Sequence, residues 1–357
     1  MNIRRKLLQN RISESRWAPA VMSFFSISVW TMVCINDTFA IVPLLCMLFS
    51  TFLMMELNNT NALIRIFSRM VSCCYMALTT MATFQFVSIR AASVALCIVG
   101  SYICLFRCYQ DKYSQGWVFY GFLCLGLSSI VWVQILYYVP IIWILMRTRL
   151  QATSVRNYIS SIFGLLLPNI VALSVVLYQS EWQVVVRHFG ELLTFGSFAN
   201  YWLLSINQIL TGVWIMLCAI IGTVHYLRKR RSDSIRTRML YSFFVQINIL
   251  SILFLCLQPQ HFDAILGIII ASTSPLIAHF FALTNTKFTN FTFKFLTLAT
   301  LAITVFNFLS FFLLPFHSVV SFAFQFDIIS LVYFCYDCLE FADNKVDVII
   351  YAVERSL

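Results

Sequence analysis

Apolar residues in this chain fall in long unbroken runs, not at the spacing of a surface helix or a half-buried strand. The runs are 17–34, 38–55, 66–84, 91–106, 117–146, 158–178, 202–226, 239–257, 264–283, 296–315 and a weaker 319–336. A hydrocarbon core of about 30 Å takes roughly 20 residues of helix. All but one run are therefore of single-crossing length. The exception, 117–146, would be about 45 Å long as one helix.

Charge decides how that long run is read. Suppose it turns back near Gly126, Ser128 and Ser129, with the N-terminus in the cytoplasm. Then 22 of the 24 Lys and Arg lie in inside connections, leaving Arg90 and Arg187 outside. A single crossing would move Arg228, Lys229, Arg230, Arg231, Arg236 and Arg238 to the outside. The expected fold is therefore an all-α, polytopic membrane bundle of about 12 (10–12) transmembrane helices. It contains one short helix pair, keeps both termini cytoplasmic and is integral to an inner membrane. Short helices survive in lipid only inside protein or beside a cavity, so the pair is expected at the centre.

Residues 1–16 are a basic cytoplasmic segment, 17–337 the transmembrane domain and 338–357 an acidic cytoplasmic tail. The basic start and first run read as an uncleaved signal anchor, because no small-residue cleavage site follows; a mitochondrial presequence is the alternative. The segment 179–201 is the longest connection. Trp182, Val185, Val186, Phe189, Leu192 and Leu193 share one helical face, and Glu181, Arg187, His188 and Glu191 the other. This spacing predicts an interfacial helix on the outer surface: a lid, a guide for a lipid substrate, or a plain linker.

Composition narrows the class. The chain is 61% hydrophobic and 11% charged, which excludes a soluble enzyme on one anchor. The net charge of +10 follows from the loops and implies contact with anionic lipid headgroups, not nucleic acid. Most of the twelve cysteines sit inside apolar runs as small fillers. Cys335 and Cys338 form a lone CxxC without a second metal-binding pair. No P-loop, GxGxxG, HExxH, GxSxG or EF-hand loop occurs, and no cofactor or metal is implied.

Ionisable residues within apolar runs are candidates for function because their burial is costly. Asp327, beside Gln325, and His279, after Ser272, Thr273, Ser274 and Pro275, would be the midplane groups of a transporter or permease. On the outer side the acid–base inventory is Asp37, Glu181, His188, Glu191, His261, Asp263 and His317. A carboxylate there is placed to act as general base on a lipid-linked substrate. Asn207, Gln208, Gln246, Asn248 and Asn307 read as interhelical hydrogen-bonding amides.

Between Gly116 and Tyr178 the order is a glycine-spaced helix (Gly116, Gly121, Gly126), a polar turn and an apolar helix with Pro140. A basic loop (Arg147, Arg149, Arg156) and a helix with Gly164, Pro168 and Asn169 follow. Together with NNTNALIRIF at 58–67, this resembles an uncharacterised family of Bacteroidetes inner-membrane proteins. More loosely it resembles the membrane region of polyprenyl-phosphate-dependent glycosyltransferases of the GT-C architecture. The latter resemblance implies a polyprenyl-phosphate-linked saccharide as substrate. It also implies a catalytic acid in the first outer loop, where Asp37 stands, although that loop is much shorter here. Substrate contacts would come from Glu181, Arg187, His188 and Glu191. A non-catalytic membrane scaffold is the remaining alternative.

Overall fold

The computed structural model describes residues 7–36, 38–178, 182–194 and 201–313. Among them are thirteen α-helices and no strand. They are α1 (Leu8–Glu14), α2 (Ala18–Asn36), α3 (Ile41–Asn61), α4 (Met70–Met81), α5 (Ile89–Arg107), α6 (Gln115–Val131) and α7 (Tyr138–Leu145). Then follow α8 (Val155–Tyr178), α9 (Trp182–Gly190), α10 (Ile206–Lys229), α11 (Ile235–Leu257), α12 (Phe262–Leu283) and α13 (Lys287–Leu313). Eight of them (α2, α3, α5, α8 and α10 to α13) are long and apolar enough to cross a membrane. The run 319–336 and the CxxC lie outside the described residues.

The distribution of side chains is that of a protein in lipid. Large apolar groups face outward: Phe24 is 77% exposed and Ile170 56%. Polar groups turn inward and find partners. Asn248 Nδ2 donates to Thr273 Oγ1 (2.6 Å), and Tyr138 Oη to Ser251 Oγ (3.0 Å). Asn307 Nδ2 donates to both the Met81 carbonyl and Thr211 Oγ1. Such bonds tie helices together at about 1 kcal/mol each.

The centre is α12, not the short pair. Its whole apolar window is buried, and α1, α4, α5, α10 and α11 pack around it. Small residues let it sit there. A Cβ on Gly222 of α10 would lie 2.8 Å from the Leu276 carbonyl carbon of α12, so only glycine permits that approach.

The long run does fold back, but at a different place. α6 starts beside the end of the run: Ser160 Oγ donates to the Gln115 carbonyl (2.7 Å), and Gln110 N to the Leu150 carbonyl (2.8 Å). Gln110 and Gln151, both with positive φ, are joined side chain to side chain at 3.1 Å. The reversal comes at Trp132, which is extended, followed by a 3-10 turn over Val133–Tyr137. Pro140 explains the position. It has no N–H, so an unbroken helix would strand the carbonyl four residues earlier. Restarting at Tyr138 puts Pro140 in a first turn, where no donor is required. Gly126, read from sequence as part of the turn, is instead a packing residue. A Cβ there would lie 2.7 Å from the Leu165 carbonyl oxygen of α8. Gly164 is tighter still, with its missing Cβ directed at the Phe119 carbonyl of α6. The pair is also less central than expected. The second arm is buried through Ile135, Tyr138 and Ile142, whereas α6 keeps an exposed stripe at Tyr120, Leu127 and Ile130.

Side-chain contacts sort the connections into two ends. At one, Arg65 Nη1 donates to the Ser232 carbonyl and Arg236 Nη2 to Asn61 Oδ1. Here too Gln9 of α1 donates to the Phe281 carbonyl and Thr284 Oγ1, and Arg236 lies over the Tyr109 ring. All described Lys and Arg except Arg90 and Arg187 belong to this basic end.

Replacing Gly164 by Leu should cost at least about 2 kcal/mol, because backbone faces backbone and neither side can yield. Gly116→Ala, with nothing within 4 Å of the new methyl, should be neutral. Thermal unfolding in detergent distinguishes the two, and equal midpoints would refute the close α6–α8 contact.

Candidate functional site

The other end is built by two helix breaks. α6 stops at Trp132 and α11 at Gln258, whose successor Pro259 disfavours helical backbone at the preceding residue. The breaks bring Trp132, Tyr137, Phe254 and His261 together. Trp132 stacks on Phe254 (centroids 6.2 Å, 24°), and Tyr137 meets Phe254 edge-on (5.8 Å). The Trp132 indole donates to His261 Nδ1 at 3.4 Å. An indole N–H only donates, so Nδ1 is the accepting nitrogen of that ring.

Beside this aromatic wall lies a shallow groove of about 10 Å³, room for about one water. Its polar lining is Gln134, Gln258, Glu191, Thr194 and His261, and its aromatic lining Tyr137 and Phe254. Gln134 and Gln258 are each only 4% exposed. Gln134 Oε1 and Gln258 Nε2 are nevertheless buried without a hydrogen-bond partner. An orphaned buried polar atom costs about 1–3 kcal/mol, so an acceptor and a donor left open in one groove call for a ligand or water. Glu191 stands exposed at the mouth.

Helix α9 closes one side. Two hydrogen bonds fix its C-terminal end, one of them to a carbonyl that the first break sets free. His188 Nε2 pairs with the Ser129 carbonyl at 2.8 Å, in the last turn of α6, where no intrahelical donor remains. Tyr137 Oη donates to the Leu192 carbonyl. This revises the face read from sequence. His188 lies inward with Val185 and Leu192, while Trp182, Val186 and Phe189 are exposed with Arg187. The demand of the Ser129 carbonyl outweighs the polar ring's preference for water.

Of the sequence-named residues, Glu191 and His261 meet in the groove and His188 supports it. Arg187 is exposed nearby. Asp263 is one turn away, bound by Gln208 Nε2 (3.1 Å), with its carbonyl receiving Gln85 Nε2 (2.8 Å). Asp37, Glu181, His317 and Asp327 lie outside the described residues. The 3-10 turn Thr38–Ala40 next to Asp37 packs on Thr83–Val87 and contributes nothing to the groove lining. His279 sits four residues from the end of α12 at the basic end, with Nε2 3.2 Å from Asp233 Oδ2.

Gln134, Gln258 and Trp132 were not singled out in the sequence. The available signal was an amide within an apolar run, VWVQILYY, and a Gln–Pro pair at a helix stop. No group of three His, Cys, Asp or Glu among the described residues could hold a metal ion.

His188→Ala should release α9 from α6 and cost about 1 kcal/mol locally. Amide exchange over 182–194 should quicken while exchange in α12 stays unchanged; unaltered protection of α9 would remove the assigned role of His188. No protein-family model, curated protein or solved structure matches the chain, so this site stands on its own geometry.

Proposed function

We propose that the protein handles a lipid-linked saccharide at the groove between α9 and the breaks at Trp132 and Gln258. The carrying observation is the pairing of an aromatic wall with two buried amides, each with one polar atom left without a partner. A sugar ring has apolar C–H faces and a rim of hydroxyls that both donate and accept. Tyr137 and Phe254 suit the face, and Gln134 Oε1 and Gln258 Nε2 suit the rim. The space inside the groove is only about 10 Å³, room for about one water, so the ring would lie across the mouth with its hydroxyls reaching in toward the two amides. The exposed apolar side chains of α9 favour a position in the headgroup layer, beside which a polyprenyl-phosphate tail would stay in lipid. Glu191 at the mouth is the groove's own candidate for a general base. The loose resemblance to the GT-C membrane region points the same way.

The accompanying topology is twelve crossings in an inner membrane, with the basic end and both termini in the cytoplasm and the groove outside. Its support is the gathering of the basic connections at one end.

Lipid extracts of the purified protein, read by mass spectrometry, should be enriched in a polyprenyl-phosphate-linked saccharide. Gln134→Ala with Gln258→Ala should lower that enrichment about tenfold without changing the unfolding midpoint, in line with two lost hydrogen bonds. Extracts that match bulk phospholipid would overturn the reading. Reporter fusions within 228–238 should score as cytoplasmic, and an external score would invert the topology.

A further inference from the structure

The basic end holds a second polar cluster that the groove does not use. His279 of α12 is fully buried, and the Asp233 side chain that meets it at 3.2 Å is only 3% exposed. Asp233 belongs to the short connection between α10 and α11, where Lys229, Arg230, Arg231 and Ser232 are exposed. His225 of α10 stands beside His279, ring centroids 5.4 Å apart. His279 Nδ1 and His225 Nε2 are both buried and both without a partner.

From this arrangement we infer that His225, His279 and Asp233 form a binding site for one proton, and that the proton holds the 230–234 connection on α12. A carboxylate this buried needs a compensating charge, and the imidazole at hydrogen-bond distance is the group placed to supply it. His279 Nδ1 and His225 Nε2 can serve each other as donor and acceptor through one water with or without the added proton, so the need for the proton comes from the buried Asp233 carboxylate. A second proton is opposed, because two imidazolium rings at this separation repel. Aromatic rings favour the cation: Tyr241 meets His279 at 4.8 Å and Phe280 meets His225 at 5.2 Å.

The other charged or titratable groups facing the cluster are few. α10 contributes Tyr226 and Lys229, the connection Arg230, α11 Tyr241 and α4 Cys74. The turn Met146–Leu150 contributes Arg149. α1, which carries Arg11 and Glu14, is held against the end of α12 by Gln9. α5 touches α12 farther away, at Gly267. Protons reach the site through the exposed connection.

Loss of the proton leaves Asp233 buried against a neutral ring and loosens the connection. Hydrogen exchange on the full chain in nanodiscs tests this, at about pH 5.5 and 8.5, bracketing ordinary histidine titration, with labelling times scaled to intrinsic rates. Amides of 228–238 should be at least about fivefold more protected at the lower pH. Asp233→Asn and His279→Gln should abolish that difference while α5 protection stays as in the wild type. Imidazole NMR of the five histidines should lose one titrating signal in His279→Gln and displace it in Asp233→Asn. Equal wild-type protection at both pH values, or wild-type pH dependence in His279→Gln, would overturn the inference. Neither readout depends on the groove at the other end.

Discussion

In hydrocarbon a backbone carbonyl or N–H without a partner has no water to turn to, so each interruption of a helix must be repaired by the protein itself. The two breaks that shape this molecule, at Trp132 and at Gln258, obey that rule. Both occur at one end of the bundle. The Ser129 carbonyl near the first break is taken by His188. Tyr137, from the repaired turn, in turn takes the Leu192 carbonyl. The C-terminal end of α9 is thus fastened in part by a carbonyl that an unbroken α6 would have kept to itself. The groove is a by-product of this repair, formed where two chain reversals and a surface helix cannot fill space as densely as packed helices do.

The two ends then differ in chemistry for separate reasons. At the basic end, long cationic side chains bridge connections, as when Arg236 reaches Asn61 and Arg65 reaches Ser232. Those bridges roof a buried carboxylate and two imidazoles. At the opposite end there is little charge. Aromatic rings and amides line the opening, and the orphaned atoms are neutral. A neutral donor and acceptor suit a hydroxyl or a water; a buried acid beside two imidazoles suits a proton.

Between the ends, small residues set how closely helices approach. Gly126 and Gly164 join α6 to α8, and Gly222 joins α10 to α12. Lipid offers no hydrophobic drive for helix association, so van der Waals contact at short range has to supply it. α12 can be wholly enclosed because its helix presents Gly267, Ala271, Ser272 and Ser274 to its neighbours, with the hydroxyls bonded back to their own carbonyls.

Sequence alone determined what depends on local composition. The apolar runs located the long helices, since each must be about as long as the hydrocarbon is thick. The placement of Lys and Arg required the 117–146 run to fold back, and it does. Glu191 and His261 were legible because few ionisable groups stand at that end. The site of the reversal was not legible. Gly126, Ser128 and Ser129 look like turn residues by rules learned in water, but in a membrane small residues serve packing. Only the neighbouring α8 decided that Gly126 stays helical. Tertiary structure likewise paired Gln134 with Gln258, and His279 with Asp233 and His225. Those pairs are remote in sequence, and their chemistry comes from a burial that residue type does not reveal.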